Sequence, residues 1–165
     1  CLPLKNTNVK YQVFYEDPIY VAVPSWHPLN RESYAKEGEE MRYLPIGALQ
    51  NQTFILTKPT KKTRMAADRI LSNLNGHYQV GMESLNIETV IRLVAGGLGI
   101  SLVPNVFTKT YLTGDKVNYY QLEEQYAPRW QWAVIYNDSL SSLSRPSREL
   151  YHILCDEGCC FPDYI

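Results

Sequence analysis

Val94-Ala95-Gly96-Gly97-Leu98-Gly99-Ile100-Ser101-Leu102-Val103-Pro104 holds the end of one element and the whole of the next. Just upstream, Ile87, Val90, Ile91 and Val94 recur at i, i+3, i+4 and i+7, the spacing of one apolar helix face. Ser84 or Asn86 can cap the start of that helix, and Gly96-Gly97 end it. Gly99 to Val103 then reads as a strand closed by Pro104. A helix that passes through a tight glycine turn into a strand is half of an α/β layer. The glycines have the composition of a dinucleotide loop, but phosphate binding needs a strand leading into a helix, the reverse of the order here. The turn reading stands, and no cofactor is expected.

Working outward, Ile19-Tyr20-Val21-Ala22-Val23 is a buried strand stopped by Pro24. Residues 30–48, with Gly38, Pro45 and Gly47, read as loop or a short helix. Phe54-Ile55-Leu56 is a second strand, running into the polar turn Thr57-Lys58-Pro59-Thr60-Lys61-Lys62. A helix from about Lys62 to Leu74 follows, with Ala66, Ile70, Leu71 and Leu74 on one face and Gly76 at its stop. Tyr78 to Met82 alternates as a strand. Beyond Pro104 come a helical turn at Asn105–Thr110, a Gly114-Asp115 turn and a strand at Val117–Gln121. An acidic connector leads to Pro128, then a strand at Trp130–Tyr136 and an amphipathic helix at Leu140–Cys155. Pro18 and Pro128 flank the middle section as crossover points between two lobes.

With 165 residues, 45% of them hydrophobic, the chain can bury an ordinary globular core. Lys+Arg 16 against Asp+Glu 17 leaves a net charge of −1, a poor balance for gripping nucleic acid directly. No apolar run reaches the ~18 residues of a membrane span, and no signal peptide opens the chain, so it is expected to be soluble and off the membrane. Cys1, Cys155, Cys159 and Cys160 lack a paired second half for zinc, and free thiols in a reducing cytoplasm fit them better. No metal site is expected.

The usual catalytic motifs are missing: no nucleophile elbow, no Gly-Lys-Ser/Thr phosphate loop, no His-Glu-x-x-His. His27, in Trp26-His27-Pro28-Leu29, reads as a turn residue rather than a base. The Thr57–Arg64 segment carries more information. A strand ends, the chain turns through hydroxyls and cations, and a helix begins. That leaves backbone N–H groups free at a helix start and adds Thr57, Lys58, Thr60 and Thr63 as donors, a cradle for a small anion. The competing structural role makes Thr60 a helix cap and the lysines a solvated face. Met82-Glu83-Ser84 repeats the pattern of strand end, hydroxyl and helix start, which places both at the carboxyl ends of strands, facing one crevice.

These residues resemble the effector-binding domain of LysR-type transcriptional regulators. Asp17-Pro18-Ile19-Tyr20-Val21-Ala22-Val23-Pro24 with His27-Pro28-Leu29 is similar to the start of that domain's second lobe. Phe54-Ile55-Leu56 followed by Arg64 and Asp68 fits the same family, and Val94 to Pro104 is its most specific match. The resemblance implies an α/β, type 2 periplasmic-binding-protein-like fold of two lobes around a central cleft. Residues 20–127 would form the second lobe, and 1–19 with 128–165 the returning part of an incomplete first lobe. A small, anionic effector would contact Thr57, Lys58, Pro59 and Thr60, with Glu83 and Ser84 beside them and Leu2 and Pro3 as the first-lobe wall. DNA would be read through an N-terminal domain that precedes Cys1 in such regulators. The full-length protein would be a cytoplasmic homodimer or tetramer, with the apolar stripe of the Ile87–Val94 helix partly turned to a partner. A half-lobe standing alone would expose apolar surface.

Two other functions compete. A transporter's solute-binding protein shares the architecture and requires a signal peptide or lipidated cysteine upstream; Cys1 is not followed by a polar tether. An enzyme on this scaffold needs an acid or base in the cleft, for which only Glu83 qualifies. The expectation is a sensor, not an enzyme.

Overall fold

The computed structural model describes residues 9–111, 113–137 and 143–155. It divides into two compact units, Cys1–Asp17 with Trp130–Ile165, and Pro18–Arg129.

The Pro18–Arg129 unit is built on one mixed sheet. Strands β1 (Val9–Asp17) and β9 (Trp130–Asn137) belong to the other unit; here the central strand is β2 (Ile19–Pro24), buried at every position. It runs antiparallel between β7 (Ser101–Pro104), with Ala22 opposite Ser101, and β8 (Val117–Tyr120), with Val21 opposite Tyr120. β5 (Thr53–Thr57) and β6 (Gln79–Ser84) pair in parallel. A parallel bridge between Phe54 and Ile100 joins them to β7: Ile55 N–H donates to the Ile100 carbonyl at 2.8 Å, and Ile100 N–H to the Thr53 carbonyl at 3.0 Å. The spatial order is therefore β6-β5-β7-β2-β8. A two-residue ribbon, β3 (Tyr34–Ala35) with β4 (Arg42–Tyr43), lies inside residues 30–48, where the sequence suggests only loop or helix. Strands this short leave no periodicity to read.

Helices α1 (Lys62–Leu71) and α2 (Ile87–Ala95) make the crossovers from β5 to β6 and from β6 to β7. Val90, Ile91 and Val94 of α2 pack with Ala22, Ile55, Val103 and Val117, all buried. Strand side chains alternate, so Phe54 and Leu56 face away from Ile55, toward the layer of α1. Val90, Ile91 and Val94 are each 0% exposed within this unit, while Ile87, at the start of the α2 stripe, is half-buried. In α1 the core position is Ala67 rather than Ala66, because Ala67 stands three before Ile70 and four before Leu71, in the middle of the face they set. The helix closes at Leu71, and a 3-10 turn, Ser72–Leu74, completes the predicted span. β6, the edge strand, has exposed residues from Gln79 to Glu83 and a half-buried Ser84. A short helix, α3 (Asn105–Thr110), follows β7.

His27 has a defined structural role. It is the N-cap of a 3-10 turn, Pro28–Glu32, with Nδ1 accepting from Leu29 N–H at 3.2 Å. Asn30 next to it donates to the Pro24 and His27 carbonyls and accepts from the Tyr120 hydroxyl, which ties the turn to β8. Burial lowers the His27 pKa, so the folded chain favours the neutral ring. Below the imidazole's ordinary value of about 6.5 the unfolded chain takes up a proton that the folded chain resists. Stability is therefore expected to be full above that pH and to decline as pH falls below it. Thermal unfolding at several pH values between ~7.5 and ~5.5 should show a smaller decline in His27→Asn, whose amide keeps an acceptor but does not titrate.

In the other unit, β1 and β9 pair antiparallel, from Val9 opposite Asn137 to Asp17 opposite Trp130, with a register shift between Val13 and Tyr15. Helix α4 (Arg145–Cys155) packs beside them, Tyr151 edge-on to Tyr136 at 5.7 Å between ring centroids. Ile135 and Leu150 remain exposed along a groove of about 530 Å³ between β9 and α4, and Ile153 is exposed on α4.

Candidate functional site

β5 and β6 run in parallel to the same end, and α1 and α2 start there. Register brings the sequence-flagged residues together: Leu56 lies opposite Glu83 and Thr57 opposite Ser84. Lys58 N–H extends the ladder by one bond, donating to the Ser84 carbonyl at 2.8 Å. The chain then reverses through Lys58-Pro59-Thr60-Lys61, closed by Lys61 N–H to the Lys58 carbonyl at 2.9 Å. Pro59 suits the second position of such a turn, since its ring fixes φ in advance.

Thr57 is 4% exposed, and its Oγ1 lies 2.7 Å from Thr63 Oγ1. Two hydroxyls in one bond use one hydrogen and leave the other to donate elsewhere. Lys58, Pro59 and Thr60 are exposed. Thr60 does not cap the helix: the N-cap is Lys61, in extended conformation and with no side-chain cap bond. The N–H groups of the first turn of α1 thus lack a side-chain acceptor, and Lys58, Lys61 and Lys62 are exposed along the turn and the helix start. α2 differs. Asn86 Oδ1 accepts from Glu88 N–H at 2.8 Å, and Ser84 Oγ accepts from Asn86 N–H at 3.2 Å. Of the two helix starts at this end of the sheet, one is closed by the chain's own oxygens and one is open.

Arg64, which the sequence marks only as a family match, organises the floor. Its Nε donates to Asp68 Oδ1 at 2.8 Å, and its Nη1 to the Thr57 carbonyl at 3.2 Å and to Glu83 Oε1. Burial alone would lower its pKa, but the bonds to Glu83 and Asp68 outweigh that and raise it. The Arg64–Asp68 pair is visible as an i, i+4 spacing; the bonds to Thr57 and Glu83 cross elements and leave no local signal. Leu2 and Pro3 lie outside the described residues, as do Cys1, Cys159 and Cys160, while Cys155 is half-buried at the end of α4. Among the described residues no group of three or more His, Cys, Asp or Glu could hold a metal ion, and no helix is long and apolar enough to cross a membrane.

The model of the LysR substrate binding domain matches residues 1–154. The chain belongs to this family. It is 27% identical over 141 residues to the RuBisCO operon transcriptional regulator of Allochromatium vinosum, covering 82% of this chain and 41% of that protein. The chain thus spans about two fifths of that relative's length. Among solved structures, the Synechocystis PCC6803 CcmR regulatory domain in complex with 2-PG superposes with a TM-score of 0.77 at 22% identity, covering 96% of this chain and 71% of that one. The effector binding domain of QuiR in complex with shikimate gives 0.69 at 16% identity, covering 94% and 68%. The LysR effector-binding domain has the type 2 periplasmic-binding-protein-like fold, and this chain shares it. The relatives it matches are transcriptional regulators, not enzymes or solute-binding proteins.

Proposed function

We propose that this domain senses a small anionic effector and transmits its binding allosterically to a DNA-binding domain elsewhere in a cytoplasmic LysR-type regulator. The observation that carries the reading is the open start of α1, in a turn that carries the exposed Lys58, Lys61 and Lys62 and follows the buried Thr57, beside an α2 start already capped. An anion there gains backbone donors, cations and the helix dipole, the last contributing about 0.3–1 kcal/mol. In this reading Thr57, Lys58, Pro59 and Thr60 hold the effector, Glu83 and Ser84 flank it, and Leu2 and Pro3 supply the facing wall. Residues 20–127 act as the second lobe, with 1–19 and 128–165 as the returning part of the first. Coupling to DNA would be about 1–3 kcal/mol, and the full-length protein a homodimer or tetramer. In such pairing the half-buried Ile87 end of the α2 stripe is the part left for a partner, since Val90, Ile91 and Val94 are buried in the core.

The ligands named with the two solved relatives, 2-PG and shikimate, are the first probes. Titration calorimetry of the full-length regulator should show Thr57→Ala binding the better of the two roughly tenfold more weakly, the worth of one hydrogen bond to a charged group. Unchanged affinity would remove Thr57 from the site.

A further inference from the structure

Glu83 sits where an effector contact is expected, yet one of its oxygens is already taken by Arg64. That guanidinium is nearly buried, with 13% of its side chain exposed, and it bonds Thr57, Asp68 and Glu83 at once. Two carboxylates therefore face one cation immediately behind the turn that the preceding reading assigns to the anion. The Arg64 charge is spent inside the protein. The open cations at the turn are lysines, which attract an anion as point charges without the planar fork of a guanidinium.

Resting on that reading, we propose that Glu83 is a specificity determinant acting through Arg64. It holds the guanidinium against the Thr57 carbonyl and out of the anion site, so that the site engages its ligand with lysines and backbone N–H groups alone. Glu83 is thus a positioning residue rather than an effector contact. Two features of the chain favour this assignment over a contact role. Leu56 lies opposite Glu83, and Leu56 points to the face that α1 covers, so the register aims Glu83 at Arg64. Arg64 also has the three acceptors that fix its plane, which a salt bridge on open surface would lack. Neutralising Glu83 leaves Arg64 with one carboxylate, the exposed Asp68, and the Thr57 carbonyl, and frees part of the fork for an incoming oxyanion.

The test uses the complete chain, with inorganic phosphate as the probe and the amide NMR signals of Lys61–Arg64 as the readout. Glu83→Gln should bind phosphate roughly tenfold more tightly than the unaltered chain at low salt, the gain shrinking as salt screens the freed charge. Combining Glu83→Gln with Arg64→Gln should abolish most of that gain, which distinguishes release of Arg64 from simple removal of a negative charge. Equal or weaker binding by Glu83→Gln overturns the inference, and so does a gain that survives undiminished in the double variant. If Glu83→Gln does not fold, Asp68→Asn, which relieves the same guanidinium from the exposed side, must show the same direction of effect with a smaller gain, or the inference fails. If phosphate moves those amides in neither protein, the reading of the turn as an anion site falls and this inference falls with it. If phosphate binds the unaltered chain and Thr57→Ala weakens it while Glu83→Gln does nothing, the anion site stands and only the role of Glu83 is overturned.

Discussion

Gly99→Ala is expected to destabilise the chain by about 3 kcal/mol, more than most single added methyl groups cost. A Cβ built at Gly99 would lie 2.5 Å from the Thr53 carbonyl oxygen and 3.3 Å from Ile55 Cγ1. The first of these is backbone and cannot step aside. Thr53 O accepts from Ile100 N–H at 3.0 Å, one of the two bonds that weld β5 to β7. Relief of the clash must lengthen that bond and open the seam, in the middle of the sheet. The backbone adds to the penalty, because Gly99 has φ +158°, at the margin of the region that side chains avoid. Gly47→Ala is the control: nothing lies within 4 Å of its Cβ, and its effect should stay within about 0.5 kcal/mol. Urea unfolding of both variants gives the comparison. A loss below about 1 kcal/mol at Gly99 would mean that the seam between β5 and β7 spreads without cost.

Phe54→Ala should cost about 3–5 kcal/mol, the range for emptying a buried aromatic site. Phe54 is 0% exposed, pairs with Val80 on one side and bridges Ile100 on the other, and meets Tyr78 edge-on at 5.9 Å between ring centroids. Strands on both sides prevent collapse into the void, so the cavity penalty persists. Against a typical domain stability of about 5–15 kcal/mol this is enough to populate unfolded chain at modest temperature. The damage should reach the binding turn as well, since Thr57 ends the same strand. Phe54→Leu, which keeps most of the volume, should recover most of the stability. A similar loss in both variants, read by urea or thermal unfolding, would locate the effect in the aromatic contact with Tyr78 rather than in the cavity.

What the sequence made legible follows from where its signals are local. The α2 face and the glycine turn after it are visible because burial, capping and chain reversal all act within a dozen residues. β1 is not, since Val9–Asp17 mixes charges and aromatics, and only its pairing with a distant β9 makes it a strand. The neighbourhood of Thr57 and Ser84 is legible from one rule, that parallel strands end on the same side. Thr63 as the partner of Thr57, and Arg64 as the link from α1 to β5 and β6, are decided by packing between elements. The same packing buries Val90, Ile91 and Val94 and leaves Ile87 half-buried, a division that apolar spacing alone cannot make.

The strands of the smaller unit come from opposite ends of the described chain, with the whole of Pro18–Arg129 between them. Joining such remote segments in an unfolded chain costs loop-closure entropy that no early contact offsets. The larger unit also pairs remote strands, Ile19 with Pro104 and Pro24 with Val117, but the chain between them contributes β5, β6, α1 and α2 to the same core and so offsets that cost as it folds. Asp17 and Trp130, the innermost pair, flank that stretch directly. Once it has folded, β1 and β9 leave it side by side, and their pairing becomes that of a hairpin whose turn is a finished domain. The order of assembly is then set by topology: the Pro18–Arg129 unit first, the ribbon zipping outward afterwards from Asp17 toward Val9. Amide exchange during refolding should protect β2 and β7 before β1 and β9, and in the native chain the outer pairs near Val9 and Asn137 should be the first to fray.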